Sequence, residues 1–244
     1  MTTAVSALLD DLGGRGVHLY LGDGQLRAVA AKDAMTGEVR QLIAAHREAL
    51  IAVLRERDGP PAPAGADGVR LATERLILRP VRAGDRDDML AYRGRADVHR
   101  YLEHDPLTAN TVGAFLAQRA AKNRPDRDGD HVLLAVERDG TVIGDIAVNR
   151  HPDAQGELGW VFHPDHSGRG YATEAAAAAI DWGFGELRFH RIWARLNPGN
   201  TASARLCERL GMRREALLHE ESRFRGEWAD LAIYALIDRE WHRP

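Results

Sequence analysis

The chain holds 244 residues, enough for one large or two modest domains. Its formal net charge is -3, its bases are almost all arginine, and no block of like charge stands out, which argues against nucleic acid as the main partner. Cys207 is the single cysteine, so an intramolecular disulfide and a multi-cysteine metal site are excluded, and the scattered histidines show no metal-ligand spacing. No apolar run approaches the roughly 18 residues of a membrane helix. No signal-peptide pattern is visible either. A chain outside the membrane, in a reducing cytoplasm and without a metal, is expected.

Val5, Leu8, Leu9 and Leu12 fall on one face of a short helix. Gly13, Gly14 and Gly16 end it. Val17, Leu19 and Leu21 then alternate, Gly22-Asp23-Gly24 turns the chain, and 25–30 runs back as a hairpin. Thr36 caps a helix whose stripe runs through Val39, Leu42, Ile43, His46, Leu50, Val53 and Leu54. Helix, hairpin and helix in 1–57 make a unit too small to stand well alone, and its hairpin edge is open to strand addition. The order of elements, with Met35-Thr36-Gly37-Glu38-Val39-Arg40 and His46-Arg47-Glu48, resembles the TubC-type docking domain of non-ribosomal peptide and polyketide synthetases. That resemblance implies a synthetase subunit or carrier protein as partner.

Residues 58–68 are proline, glycine, alanine and aspartate with hardly a core residue, a linker between two domains. The second domain, 69–244, opens with a strand around Leu76-Ile77-Leu78. Helices are expected at 85–92 and 111–122, with irregular chain at 99–106. Strands follow at 132–136 and 141–149, joined by Asp139-Gly140, a strong hairpin signal. A central strand at 156–162, a helix from Ala172, a strand at 191–196, a helix at 200–210 capped by Gly211, and strands at 216–219 and 231–236 complete it. Strands outnumber helices without strict alternation. The fold class is therefore α+β: a mixed, mostly antiparallel sheet flanked by helices, preceded by the small helix-hairpin-helix module.

Chemistry concentrates after the central strand. Pro164 stops the strand, Gly168 and Gly170 free the backbone, and Tyr171-Ala172-Thr173-Glu174 starts a helix. Such a turn gathers unpaired N–H groups and the positive helix end at one spot, an anion cradle. Downstream stand Trp193-Ala194-Arg195-Leu196-Asn197-Pro198-Gly199-Asn200 and Ser203, then Leu206-Cys207-Glu208-Arg209-Leu210-Gly211. Here 69–244 resembles the GCN5-related N-acetyltransferases (GNAT), more narrowly their RimJ/RimL-type branch. That family's signature is Gln or Arg, two residues, Gly, one residue, Gly or Ala. This chain has Asp165 at its first position.

The resemblance implies acetyl-CoA, or another acyl-CoA, as co-substrate. Trp160, Val161, Phe162, His163, Ser167, Gly168, Arg169, Gly170, Tyr171, Ala172, Thr173, Asn200 and Ser203 would bind it. It implies that strands 157–162 and 191–196 splay to admit the pantetheine arm, and that the region at 99–106 covers the acceptor side of the cleft, where Tyr101, Glu103 and His104 could touch substrate. Glu157 would serve as base and Ser203 as catalytic partner at the leaving thiolate, because Cys207 stands where many relatives carry a tyrosine. The acceptor would be a small-molecule, peptide or protein N-terminal amine, and a homodimer is compatible. Three other readings stay open: a self-resistance acetyltransferase, a non-catalytic adaptor that binds a carrier protein, and a loading domain.

Overall fold

The computed structural model describes residues 5, 8–9, 11–12, 17–22, 25–30, 34–58, 69–102 and 104–243. The chain divides into two units, 1–67 and 68–244. In the first, Val5, Leu8, Leu9, Asp11 and Leu12 are helical, and β1 (Val17–Gly22) pairs antiparallel with β2 (Gln25–Ala30), Val17 opposite Ala30. Thr36 caps α1 (Gly37–Ala45) by accepting from the Val39 N–H. The expected single helix is broken: His46 leaves the helical region at φ -111, and α2 (Arg47–Asp58) starts after it. No Gly or Pro marks the break, and the apolar stripe continues across it. Val5, Leu12, Val17, Leu19, Val39, Leu50 and Val53 meet in this unit's own core. The glycine stop at 13–16, the turn at 23–24 and the linker at 59–68 lie outside the described residues.

The second unit is one eight-stranded sheet in the order β3-β4-β5-β6-β7-β8-β10-β9. Its strands are β3 (Leu71–Ala72), β4 (Ile77–Pro80), β5 (His131–Arg138), β6 (Thr141–His151), β7 (Gln155–Phe162), β8 (Arg191–Leu196), β9 (Arg213–Phe224) and β10 (Glu227–Ile237). Every neighbouring pair is antiparallel except β7 and β8. Asp139 and Gly140, at φ 50 and 82, make the left-handed turn that joins β5 to β6. The expected strands at 216–219 and 231–236 are parts of the longer β9–β10 hairpin. β9 is an edge strand exposed along most of its length, so little apolar alternation marked its extent.

Two cores form because side chains alternate across the sheet. On one face Leu134, Ile146, Leu158, Ile192 and Ala194 pack under α5 (Tyr171–Gly185) and α6 (Thr201–Arg209). The buried run Ala175 to Ala179 combines the best helix former with a side chain small enough for close approach to the sheet. On the other face Leu133, Ala135 and Val161 pack with Met89, Tyr92, Val112 and Leu116 of α3 (Arg86–Arg93) and α4 (Val112–Ala120).

A buried ion pair pins α3 to the sheet. Asp145 of β6 accepts from Arg93 Nε at 2.7 Å, Arg93 Nη2 at 2.6 Å and the Tyr92 hydroxyl at 2.6 Å. Burial works against the charged Arg93. The charge and hydrogen bonds of Asp145 outweigh it and hold the guanidinium pKa above its ordinary value. Burial, then Asp145, pushes the Tyr92 hydroxyl pKa well up, so it stays a donor. His99, fully buried, then bonds the Arg93 carbonyl at 2.7 Å and the His104 carbonyl at 2.9 Å. The pair therefore positions the 98–102 segment as well as α3.

Candidate active site

Two neighbouring strands part at the centre of the sheet. β7 and β8 run parallel and pair only over Gln155–Glu157 and Arg191–Trp193. Beyond that rung β7 continues to Phe162 and β8 to Leu196 without pairing to each other. The opening exposes main-chain donors and acceptors to a third extended chain.

Beyond the end of β7, Pro164–His166 forms a tight turn and the chain enters α5 through Gly168 and Gly170, at φ 74 and 80. Gly170 occupies the cap position and has no side chain with which to bond the first turn. The Ser167 N–H is tied to the Pro164 carbonyl and the Glu174 N–H to that of Gly170. Between them, the N–H groups from Gly168 to Thr173 find no acceptor among the described residues. A Cβ at Gly168 would meet nothing within 4 Å, so the space above is open. Unpaired amides and a 15-residue helix end make a seat for an anion.

A clamp from distant sequence borders this seat. Glu174, in the first turn of α5, accepts from Thr73 Oγ1 at 2.5 Å, the Arg75 N–H at 2.9 Å and Arg75 Nε at 2.7 Å. Burial would raise its pKa, but those hydrogen bonds and the Arg75 charge hold it below the ordinary value. Arg75 also donates to the Arg169 carbonyl at 3.1 Å and lies over the Tyr171 ring.

Cradle and parted strands border one cleft of about 1080 Å³. From β7 it is lined by Trp160, Val161 and Phe162. The turn and α5 add Ser167, Gly168, Gly170, Tyr171, Ala172 and Thr173. The start of α6 gives Asn200 and Ser203. Asn200 caps α6 by accepting from the Ser203 N–H at 3.1 Å, and Trp160 Nε1 donates to Ser203 Oγ at 3.2 Å. His163, Arg169 and Glu157, also expected here, are not among the lining residues. His163 instead accepts from the Asp165 N–H. Asp165 is exposed and lies 3.9 Å from Arg95, so its charge is not aimed into the cleft. Sequence reasoning missed Arg75, Arg209, Arg243 and His166 in the lining. Only the cationic type of the three arginines hinted at an anion. His166 Nδ1 is buried without a partner; burial first, then His163 and Arg169, lower its pKa.

Glu157 sits on the last paired rung of β7 and β8. Alternation puts it on the face of Val161, opposite Leu158 and Trp160. Its carboxylate bonds His151 Nε2 at 3.0 Å and Arg195 Nε at 3.3 Å, and the His151 ring lies 5.2 Å from Trp193. Tyr101 lines the cleft, His104 bonds Arg93, and Glu103 lies outside the described residues.

Cys207 is fully buried among apolar residues, and burial pushes its thiol pKa up to about 12. The folded chain should therefore resist iodoacetamide at neutral pH and react only once unfolded, as mass spectrometry of labelled protein would reveal. Rapid labelling of the folded chain would contradict this burial.

A family model described as the acetyltransferase (GNAT) domain matches residues 75–213, and the TubC N-terminal docking domain matches 5–56. The uncharacterized N-acetyltransferase YnaD of Bacillus subtilis (strain 168) is 31% identical over 175 residues, covering 71% of this chain and 100% of YnaD. The uncharacterized protein YkkB of the same strain is 48% identical over 154 residues, 59% of this chain and 84% of YkkB. A crystal structure of a GNAT-family acetyltransferase from Bacillus anthracis superposes with a TM-score of 0.65 at 30% identity, covering 70% of this chain and all of that one. Among the described residues no helix is long and apolar enough to cross a membrane, and no cluster of side chains could hold a metal. The chain belongs to the GNAT acetyltransferase family: it is an N-acetyltransferase that carries a TubC-type docking domain ahead of its catalytic unit.

Proposed function

We propose that this N-acetyltransferase takes its acetyl group from acetyl-CoA, delivers it to a primary amine in a biosynthetic setting, and is tethered there by residues 5–56. The row of unpaired amides from Gly168 to Thr173 beside the parted strands carries the first part of this reading. Those amides hold a pyrophosphate, with Arg75 and Arg209 at the rim adding charged hydrogen bonds. The open edges of β7 and β8 pair with the pantetheine arm. Asn200 and Ser203 stand beside it from the start of α6.

Acetyl-CoA supplies the activated acyl group. Glu157 takes a proton from the incoming ammonium, on the face away from Ser203. The N–C bond forms as the thioester C–S bond breaks. Of the two protons the ammonium sheds, one reaches the thiolate, through Ser203 or water, and one leaves to solvent. The docking match, together with a hairpin whose outer edges pair with nothing in the described residues, supports strand addition to a synthetase subunit.

Isothermal titration with acetyl-CoA tests the donor side. Gly170→Val should weaken binding at least about tenfold, because a branched side chain disfavours φ 80 and crowds the Arg75 guanidinium at the rim, 3.4 Å from where its Cβ would stand. The same strain should cost about 1–2 kcal/mol of fold stability, so melting curves must first show the variant folded. Unchanged affinity in a folded Gly170→Val would reject the cradle. Capture of a synthetase terminus by residues 1–67 tests the tether.

A further inference from the structure

The acceptor can be narrowed from the side chains around Glu157, on the reading that Glu157 is the base. Arg195 stands next to it on β8, its side chain 48% exposed against 15% for Glu157. Arg195 spends Nε on Glu157 and lies 5.7 Å from the Trp193 ring centroid; among the described residues its terminal nitrogens have no carboxylate partner. The same sheet face continues through Ile233, which pairs with Arg195, and Leu231, both half-buried. A carboxylate, a guanidinium and an apolar floor thus adjoin where the strands part.

The β9–β10 turn reaches the 98–102 segment, and the hairpin carries Glu220, Glu221 and Glu227 as well as arginines. Arg225 Nη2 donates to the His99 carbonyl at 2.8 Å, and Arg100 follows in sequence. Neither has a carboxylate partner within 4.0 Å among the described residues. A polyamine would bring its second cation against Arg195. An α-amino acid matches the array. Its amine and carboxylate are two bonds apart, the scale of the Glu157–Arg195 contact, and its side chain would rest on Trp193 and Ile233.

We propose that the acceptor is a free α-amino acid, with its amine at Glu157 and its carboxylate on Arg195. Acetylation then precedes any activation of that carboxylate, since a thioester or amide would leave Arg195 without its anion. The class of reaction that consumes the product is carboxylate activation of an N-acetylated amino acid.

The full chain is assayed for thiol release from acetyl-CoA with the twenty standard amino acids, their primary amides and spermidine. At least one free amino acid should be turned over, with a KM at least about tenfold below that of its amide. Arg195→Met, which keeps the apolar stem, should erase that preference by raising the KM of the acid alone. Turnover of spermidine or the amides without any amino acid overturns the proposal, as does no turnover of any amino acid, or an Arg195→Met effect equal on acid and amide. Acetyl-CoA titration on the same samples separates this from a failed donor site. Glu157→Gln should slow acid and amide alike; if it slows neither, the assignment of the base fails while the Arg195 comparison still stands.

Discussion

Asp145→Ala should lower the unfolding free energy of the catalytic unit by about 3–5 kcal/mol, the usual cost of removing one partner of a buried ion pair. The arithmetic is one-sided because Arg93 cannot follow its partner out. Its side chain is 6% exposed, so the substitution strands a charge in a site that excludes water. The Tyr92 hydroxyl loses its acceptor in the same step. Asp145→Asn keeps an oxygen for Tyr92 and should cost less. All five tryptophans, at 160, 182, 193, 228 and 241, lie in the second unit, so urea titration followed by tryptophan fluorescence reports on that unit within the full chain. A midpoint shift worth under about 1 kcal/mol would show that the pair relaxes into solvent and does not pin α3.

Features built from neighbouring residues were legible in the sequence. Pro164, Gly168 and Gly170 announce a turn into a helix, and Asp139-Gly140 announces a hairpin, because each signal acts within a few residues. The α+β class followed from the count of strand runs, and the family from the turn at 165–174 read together with the segment at 193–211. Contacts that close over long separations were not. Glu174 meets the Arg75 N–H across 99 positions, and Arg93 meets Asp145 across 52. Asp145 stands in the otherwise apolar run Val142 to Val148, which marks it as an oddity, yet nothing local names its partner. Glu157 reads from sequence as a strand carboxylate, whereas its engagement by His151 and Arg195 depends on how β6, β7 and β8 line up. The break at His46 has neither glycine nor proline to betray it.

Glu157→Gln should cut turnover by about 100- to 10,000-fold, the range for loss of a positioned general base, while acetyl-CoA affinity stays within about twofold of wild type. The split follows from the two faces of β7. Trp160, which bonds Ser203 in the donor cleft, projects to one side, and Glu157 projects to the other. Glutamine keeps the shape and still reaches His151 and Arg195, so packing of the rung should survive. It cannot take a proton from an ammonium, and it removes the negative charge that attracts one. Initial rates of thiol release, with the acceptor that wild type uses fastest, give the first number, and calorimetric titration with acetyl-CoA gives the second. If affinity fell in step with rate, the variant would be disturbing the parted strands. A rate within about threefold of wild type would instead make Glu157 a structural partner of Arg195 and leave deprotonation to solvent.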